Sequence, residues 1–374
     1  MIRVLHLTTH LNSGGITVYI LRLIESLREA GVESLVFSSG GNYTAYFEEK
    51  NVTLAVSAIR TKSELHPKLW PAFFELLRVI RKEKIDLLHA HTRVTQVMAA
   101  WAHAVTGIPV VTTCHGFYKV RFGRRFFPAW GQRAIAISEP VGQHLMDDFH
   151  IPSSRVRVVN NAVDIKLLDE QYRKHDRAQV KREWGFSEQD PVIGIVARLV
   201  SDKGHEYLIR SAAELVKEFP DLRVLIVGEG KERAFLETLA ASLGMTQRVV
   251  FTGNLPDVTK ALAAMDVFVF PATWREGFGL SIVEAMTCAK PVIVTNIWAL
   301  NSLIQDRVTG YLVEPKRVDV LTEATAALLR NPSQRAQIGD SARRAVERLF
   351  TIERMAAEIT AVYKETLTEK GKAL

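Results

Sequence analysis

The sequence predicts an α/β protein built on two parallel sheets. Short apolar, β-branched runs alternate with longer amphipathic segments along the chain, which is the pattern of repeated β-α-β units. The length of 374 residues corresponds to about two domains of roughly 150 residues each. A polar, charged stretch at 164–190 separates two such series. We therefore expect two Rossmann-like halves, in which ligands bind beyond the carboxyl ends of the strands.

Ten short apolar runs are the predicted strands. They lie at 2–7, 34–38, 86–89, 109–113, 133–137, 192–197, 222–227, 249–252, 267–270 and 292–295. The last segment, from 351 to about 370, has a helical pattern. Strands and helices thus alternate on both sides of the polar stretch.

The composition excludes several classes of protein. No run of about 18 apolar residues could span a membrane as a helix, and Met1–Leu7 has a strand pattern where a signal peptide would have a charged start. We therefore expect a cytoplasmic protein. Cys114 and Cys288 match no metal-ligand spacing, so both should be reduced and buried.

The most informative stretch is 274–286, which carries two carboxylates around a helix start. The strand predicted at 267–270 leads into a loop that contains Glu276. Helical spacing begins at Leu280, which places Glu284 about one and a half turns inside the helix. Carboxylates accept hydrogen bonds from the hydroxyl groups of sugars and riboses. The two acids should therefore reach different parts of one ligand.

Glycines in the same loop favour a phosphate group in that ligand. Gly277 and Gly279 let the backbone approach a ligand closely, and the unpaired N–H groups at the start of the next helix attract anions. A second glycine pair, Gly14 and Gly15, lies between the first predicted strand and an amphipathic helix. Both loops would follow the carboxyl end of a strand.

The spacing of Glu276 and Glu284 resembles the E-x7-E signature of the retaining, nucleotide-sugar-dependent glycosyltransferases of family four, also called group 1. Other segments recur in the order seen in that family, namely Gly194–Arg198, Asp202–Gly204, Val224–Gly230 and Val250–Gly253. His115, which follows the strand at 109–113, resembles the histidine that contacts the donor sugar in that family. The resemblance covers most of the chain and is strongest from about 190 to 315.

The fold implied by this resemblance is GT-B, in which two Rossmann-like domains face each other across a deep cleft. Residues 1–165, joined by about 351–374, would form the N-terminal acceptor-binding domain. Residues 166–350 would form the C-terminal domain that binds the nucleotide-sugar donor. The C-terminal helix would cross back to the N-terminal domain.

The resemblance also implies a role for each site residue. Glu276 would orient the sugar hydroxyls and Glu284 would bind the ribose, while Arg198 and Lys203 would neutralise the diphosphate. The predicted catalytic residues are Glu276, His115, Arg198 and Lys203. The predicted donor site comprises Gly15, Arg198, Lys203, Gly228, Gly253, Glu276, Gly277, Phe278, Gly279, Leu280 and Glu284.

The implied reaction moves a sugar from a nucleoside diphosphate sugar to an acceptor hydroxyl with retention at the anomeric carbon. Two acids on one segment cannot flank a sugar on both faces, as a retaining hydrolase requires. We therefore expect same-face attack, in which the leaving phosphate accepts the proton. No Asp-x-Asp motif is present, and the alternating His89 and His91 offer no third ligand. No metal and no other cofactor is expected.

Charge indicates the kind of acceptor. Nearly all of the net charge of +7 lies in residues 1–165, which contain 19 Lys and Arg against 13 Asp and Glu. The segment 117–133 has five cations, six aromatic residues and no acid, a mixture that suits an anionic acceptor or a membrane interface. The predicted contacts are Lys119, Arg121, Arg124 and Arg125. No motif indicates nucleic acid.

Several alternatives stay open at this point. The segment 68–84 could be a second membrane contact, although an ordinary helix with a buried apolar stripe is the favoured interpretation. The first functional hypothesis is a transferase that acts on a lipid-linked or cell-envelope glycan at the inner face of the cytoplasmic membrane. The others are a transferase with a soluble acceptor and a sugar-nucleotide-binding protein with little catalysis. Trp298, Ala299 and Ser302 depart from the Gly-Gly and Glu usual in the family, which leaves the donor's base and sugar open.

Overall fold

The computed structural model describes residues 1–12, 14–61, 63–120, 123–124 and 127–369. The chain divides into two compact units. Unit 1 contains the chain up to Asn161 together with the helix that starts at Ile352, and unit 2 runs from Ala162 to Thr351. The predicted α/β class is confirmed, because each unit is a Rossmann-like parallel sheet flanked by helices.

Unit 1 is built on a seven-stranded parallel sheet of order β3-β2-β1-β4-β5-β6-β7. Its strands are β1 (Ile2–Leu7), β2 (Val32–Ser38), β3 (Thr53–Val56), β4 (Leu87–Ala90), β5 (Val110–Cys114), β6 (Arg133–Ala136) and β7 (Val156–Val158). Its helices are α1 (Gly15–Glu29), α2 (Thr44–Glu49), α3 (Leu69–Lys82), α4 (Arg93–Thr106), α5 (Glu139–Asp147) and, from the end of the chain, α14 (Ile352–Thr368).

Unit 2 is built on a six-stranded parallel sheet of order β10-β9-β8-β11-β12-β13. Its strands are β8 (Val192–Val196), β9 (Arg223–Val227), β10 (Val249–Gly253), β11 (Val267–Phe270), β12 (Val292–Thr295) and β13 (Tyr311–Val313). Its helices are α6 (Ile165–Arg173), α7 (Arg177–Glu183), α8 (His205–Leu215), α9 (Arg233–Ser242), α10 (Thr259–Ala264), α11 (Leu280–Thr287), α12 (Val318–Arg330) and α13 (Pro332–Leu349).

The ten predicted strands are all present, but three further strands have no clear sequence signal. These are β3, β7 and β13, each three or four residues long and each at the edge of its sheet. Edge strands are short and partly exposed, so they lack the continuous apolar run of a strand buried on both faces. The polar stretch at 164–190 is not an open linker, because it folds as α6 and α7 of unit 2.

The final helix belongs to unit 1, as the resemblance implied. α14 packs against α1 and carries Tyr363, whose side chain is fully buried. The hydroxyl of Ser26 on α1 donates to the carbonyl oxygen of Ile352, at 3.5 Å. The final helix therefore completes the core of unit 1.

The two cysteines are free and buried, as predicted. Cys114 ends β5 of unit 1, and Cys288 follows α11 of unit 2. Burial raises the pKa of each thiol to about 12. Because the thiolate is the reactive form, neither cysteine is a nucleophile at neutral pH.

Some helices begin at a side-chain cap and others do not, and the loops predicted to bind ligands belong to the second kind together with the starts of α2, α3, α9, α10 and α12. Among the described helices, α5, α6, α7 and α13 begin at a side chain that accepts a backbone N–H of the first turn, namely Ser138, Asp164, Asp176 and Asn331, and α4 begins with a capping box. The helices that begin after Gly14, Gly204 and Gly279 have no such side-chain cap. Their first amide groups are therefore not occupied by a capping residue.

Gly204 is a position at which only glycine fits. Its φ is 72°, and a Cβ there would lie 1.9 Å from the carbonyl oxygen of Pro271. We expect Gly204→Ala to lower the free energy of unfolding by about 3 kcal/mol, because overpacking costs about 1–3 kcal/mol and a left-handed alanine about 1–2 kcal/mol. Urea unfolding followed by circular dichroism measures this loss.

Gly185 offers the matched control for that substitution. Its φ is 74°, and a Cβ there would meet nothing within 4 Å. Gly185→Ala should therefore cost only the backbone strain, about 1–2 kcal/mol. Equal losses for the two variants would contradict the close approach of Gly204 to Pro271.

Candidate functional site

The loop between β11 and α11 has the strand-loop-helix form that the sequence predicts. Gly279 is the N-cap of α11, with φ 88° and ψ 49°. A Cβ at this position would lie 2.9 Å from both Ile282 Cδ1 and Leu300 Cδ2. The loop is therefore packed tightly against its own helix and the segment after β12, and the first turn of α11 keeps the uncapped amides that an anion site needs.

Phe278 can offer a ligand its backbone but not its side chain. The side chain is 3% exposed, and its ring meets the ring of Phe350 edge-on at 5.6 Å. Glu284 lies farther along α11 and is half-buried. The aromatic contact thus anchors the loop within unit 2.

The structure brings together two residues that were predicted to bind different parts of the ligand. Lys203 Nζ donates to Glu276 Oε2, and the two side chains are only 12% and 18% exposed. Glu276 Oε1 also accepts the N–H of Gly277 at 3.0 Å. The pair joins the loops that follow the adjacent parallel strands β8 and β11. The ammonium and the carboxylate neutralise each other at this edge of the sheet.

Backbone contacts hold the same two loops together. The N–H of Thr273 donates to the carbonyl oxygen of Asp202 at 2.9 Å. The Asp202 carboxylate lies 3.6 Å from Lys203 Nζ. Lys203 therefore has two acidic neighbours, one from its own loop and one, Glu276, from the loop after β11.

Arg198 does not take part in this ion pair. Its side chain is exposed and makes no ion pair with any residue that the structure describes. Gly228 and Gly253 pair as an isolated β-bridge behind this loop, with the N–H of Gly228 donating to Gly253 at 2.9 Å. A Cβ on Gly228, whose φ is 134°, would lie 2.1 Å from the carbonyl oxygen of Ala197. These glycines shape the loop that presents Arg198.

In unit 1 the predicted residues lie at the carboxyl ends of strands. α1 begins at Gly15, and the half-buried His115 directly follows β5. The Tyr19 ring on α1 meets the His115 ring edge-on at 4.8 Å. The N–H of His115 donates to the hydroxyl of Tyr118 at 3.3 Å. Gly15 and His115 therefore lie at the same edge of the sheet.

A cluster of four histidines lies at this edge as well. His6 of β1, His89 of β4 and His91 just after β4 are fully buried, and one ring nitrogen of each lies within 4.8 Å of the others. His91 Nδ1 lies 3.2 Å from His115 Nε2. The expectation that no third potential ligand accompanies His89 and His91 is wrong, because β1 pairs with β4 and brings His6 beside them.

Burial keeps these four histidines uncharged. It lowers the pKa of His6 and of His115 to about 3. The pKa of His89 and of His91 also lies well below the usual value, through burial first and neighbouring histidines second. At neutral pH each ring therefore carries a single N–H.

The predicted acceptor segment is described only in part. Arg121 and Arg125 lie outside the described residues. Lys119 is exposed, and the Arg124 guanidinium lies over the Tyr118 ring, 4.1 Å from its centroid. A cation and an aromatic face are thus combined in the part that is described.

Arg93 binds the backbone of this segment, although the sequence pattern does not identify Arg93 as a functional residue. Its side chain, 12% exposed, pairs with Glu64 at 3.2 Å. It also donates to the carbonyl oxygens of Gly123, Phe127 and Pro128 at 2.7 to 3.2 Å. A cavity of about 410 Å³ lies here, lined by Glu64, Arg93, Phe117, Tyr118, Lys119, Gly123 and Arg124. These three carbonyl groups lie 30 to 35 positions from Arg93 in the sequence. A local sequence pattern cannot predict such contacts.

α3 has a buried stripe and an exposed aromatic face. The stripe is apolar, as the favoured interpretation of 68–84 predicts, and consists of Leu69, Ala72, Phe73, Leu76 and Ile80. Trp70 and Phe74 are 57% and 58% exposed, and the exposed Arg78 and Arg81 follow on the same face. Among the described residues, no helix has the length and apolar character needed to cross a membrane.

Comparison with known proteins identifies the family. Residues 13–167 match the family described as Glycosyltransferase Family 4, and residues 176–345 match Glycosyl transferases group 1. An uncharacterized glycosyltransferase of Methanocaldococcus jannaschii is 26% identical, over 96% of both chains. A D-inositol 3-phosphate glycosyltransferase of Salinispora tropica is 28% identical, over 96% of this chain and 82% of the relative.

Solved structures agree with this result. The structure of Anabaena HepE in complex with UDP and glucose matches 98% of this chain and 100% of its own, with a TM-score of 0.84 and 21% identity. At that identity the likeness shows the fold, which is GT-B. Because the two family matches in succession span most of the sequence, the chain belongs to the group 1 glycosyltransferases, a family of transferase enzymes.

Proposed function

We propose that the protein is a retaining glycosyltransferase that moves a sugar from a nucleoside diphosphate sugar to a hydroxyl of a lipid-linked or cell-envelope glycan. The observation that carries the proposal is the contact of Lys203 with Glu276 beside the uncapped start of α11. A cation, a carboxylate and anion-binding amides thus belong to one group of loops in unit 2. A nucleoside diphosphate sugar offers the matching phosphates and hydroxyls.

Each group has a role in donor binding under this proposal. Arg198, Lys203 and the backbone amides of 278–280 bind the diphosphate. When a phosphate approaches Lys203, the ammonium exchanges its carboxylate partner for the phosphate. Glu276 is then free to accept hydrogen bonds from the sugar hydroxyls, while Glu284 accepts those of the ribose.

The transfer proceeds on one face of the sugar. The bond between the anomeric carbon and the donor phosphate oxygen breaks, and the acceptor oxygen forms the new bond on the same side. The leaving phosphate oxygen accepts the proton of the acceptor hydroxyl. Arg198, Lys203 and the dipole of α11 stabilise the charge that develops on the diphosphate, so the proposal requires no metal ion. His115 contacts the donor sugar.

Nucleotide binding tests the donor side of the proposal. The UDP bound to Anabaena HepE makes a uridine nucleotide the first probe, with GDP and ADP as alternatives. We expect one of the three to raise the thermal unfolding temperature, because a ligand at about 100 times its Kd adds about 2.7 kcal/mol of stability. Lys203→Met should abolish the shift, and Glu183→Gln, an exposed acid on α7, should preserve it. If none of the three nucleotides shifts the transition, the donor assignment fails.

The acceptor class is supported by the surface of unit 1. The exposed face of α3 joins Trp70 and Phe74 to Arg78 and Arg81, and Lys119 is exposed in the basic segment. Aromatic side chains suit the interfacial layer of a bilayer, while arginine and lysine attract anionic headgroups. We infer a peripheral association with the inner face of the cytoplasmic membrane, which is where a lipid-linked acceptor would be located.

Sedimentation with vesicles tests this association. We expect binding to vesicles that contain phosphatidylglycerol, little binding to pure phosphatidylcholine, and loss of binding as salt is added. Arg78→Ala should weaken binding about fivefold, since each basic residue near the surface contributes about 1 kcal/mol. Phe74→Ala should weaken it too, whereas Phe235→Ala, which removes a 49% exposed ring from unit 2, should not. Absence of binding at low salt would favour the second candidate, a transferase with a soluble acceptor.

A further inference from the structure

Three histidines form a row that ends at His115. His6 Nδ1 lies 3.1 Å from His91 Nε2, and His91 Nδ1 lies 3.2 Å from His115 Nε2. Both distances are in the range of hydrogen bonds. His6 and His91 are fully buried and His115 is half-buried. The row therefore runs from the interior of unit 1 to the partly exposed residue assigned to the sugar.

The number of protons limits how the row can be arranged. All three rings are neutral at pH 7, because burial lowers the pKa of each histidine, and a neutral ring carries one N–H. Two of the three N–H groups fill the two contacts within the row. The third must lie at one end, on His6 Nε2 or on His115 Nδ1.

The environment of the two ends decides between them. His6 Nε2 is buried and has no hydrogen-bond partner among the described residues. A buried N–H without a partner is rarer in proteins than a buried acceptor without one. His115 Nδ1 is not among the buried unpartnered atoms, and at a half-buried ring water or a ligand can accept its proton. The third N–H therefore belongs on His115 Nδ1.

We propose that His6 and His91 are positioning residues that hold His115 in the tautomer with its proton on Nδ1. His115 then donates a hydrogen bond from Nδ1 to an oxygen of the sugar, and it does not accept a proton through that atom. The identity of this ligand rests on the proposed function. The tautomer itself is a property of unit 1 alone, so it can be measured without turnover.

The spacing of His6, His89 and His91 would also suit a metal ion, but two observations favour the row. Both ring nitrogens of His89 already contact hydroxyl groups, that of Tyr363 at 2.6 Å and that of Thr113 at 2.7 Å. No carboxylate of the described residues forms a hydrogen bond with these three rings. A divalent charge would therefore be buried without compensation.

The tautomer is read from the ring nitrogens of the full-length protein labelled with ¹⁵N-histidine. The His115 signals are those lost in His115→Asn. We expect the Nδ1 of His115 to be the protonated nitrogen in the protein without added nucleotide. An Nε2-protonated ring, or an equal mixture of the two forms, would overturn the proposal.

Two substitutions of His6 distinguish positioning from mere packing. His6→Phe keeps a buried ring but removes the donor, so we expect the His115 tautomers to mix and kcat to fall about 10-fold, with KM for the donor unchanged. His6→Asn restores an amide N–H near the place of Nδ1 and should restore both readouts. His103→Gln, which replaces a histidine of α4 outside the row, should change neither. If the row has no influence on the tautomer of His115, that tautomer will be the same in all three variants, and this result would refute the proposal.

Three further outcomes complete the test. One equivalent of Zn²⁺ that shifts the ring signals of His6, His89 and His91 would show a metal site and refute the row. An Nδ1-protonated His115 in a protein that transfers no sugar would refute the proposed function and leave the row intact. An Nε2-protonated His115 in an active enzyme would refute the row alone.

Discussion

Glu276→Gln is expected to lower kcat/KM for sugar transfer by about 10²–10³-fold, the usual loss when one oriented polar contact to the reacting groups is removed. The amide keeps the size of the side chain but loses the charge that pairs with Lys203. Lys203→Met should cause a loss of similar size, because the diphosphate then lacks its buried cation. Steady-state transfer assays with the nucleotide sugar identified by thermal shift measure both losses.

The double variant tests whether Glu276 and Lys203 act together. Because the two side chains touch, the loss in Glu276→Gln with Lys203→Met should be far smaller than the product of the two single losses. Lys260 and Glu183 form another ion pair of unit 2, and Lys260→Met with Glu183→Gln should leave turnover unchanged. Full activity in Glu276→Gln would show that this acid is not a donor ligand.

Acid is expected to destabilise unit 1 well before its carboxylates are protonated. The unfolded chain binds a proton on each histidine below about pH 6.5, whereas folded His6 and His115 remain neutral down to about pH 3. The unfolded state thus binds more protons in this window, so the free energy of unfolding falls as pH falls from about 6.5 towards 3. The stability is fully present above that window.

The size of the effect at pH 5 follows from the unfolded-state pKa. Relative to pH 8, each of these two histidines should remove about 2 kcal/mol, with a slope of about 1.4 kcal/mol per pH unit. The lowered pKa of His89 and of His91 adds to the loss in the same direction. Urea unfolding at pH 8, 6.5 and 5 measures the sum.

Two variants test whether the pH dependence of the free energy of unfolding comes from the histidine cluster of unit 1. His6→Asn removes one buried titrating group and should flatten the dependence by about 1.4 kcal/mol per pH unit between pH 6 and 4. His150→Asn removes an exposed histidine with φ 53°, a conformation that asparagine tolerates, and is the control for a substitution outside the cluster. A stability that does not vary between pH 8 and 5 would contradict the neutral, buried state of the cluster.

The sequence predicts the central strands of both sheets because these strands are apolar on both faces. Leu88 of β4 and Phe268 of β11, for example, are fully buried and lie in continuous apolar runs. The edge strands β3, β7 and β13 escape prediction for the opposite reason; in β3, for example, two exposed residues flank two partly buried ones. The apolar content of a segment thus predicts how far it is buried, and it predicts strand pairing only indirectly.

The parts of the site that lie within one loop could be predicted, whereas contacts between loops could not. Glu276, Gly277 and Gly279 occupy a single strand-loop-helix segment, so their spacing alone indicates an anion site. The contact of Glu276 with Lys203 depends on β8 lying beside β11. The His6 contact depends in the same way on β1 lying beside β4. A polar residue inside an apolar strand was the available signal for His6, but strand order decides what it touches.

The backbone contacts at Gly204 and Gly228 restrict how this enzyme can diversify. Any side chain at these two positions would collide with a carbonyl oxygen of the neighbouring loop, so substitutions there lower the stability of the fold, as expected for Gly204→Ala. Under the proposed function, we therefore expect changes in donor specificity at residues that project from these loops. The exposed Trp298, in the segment whose Leu300 packs on Gly279, is such a position. The two glycines thus keep the backbone of these loops the same and limit such changes to a few exposed side chains.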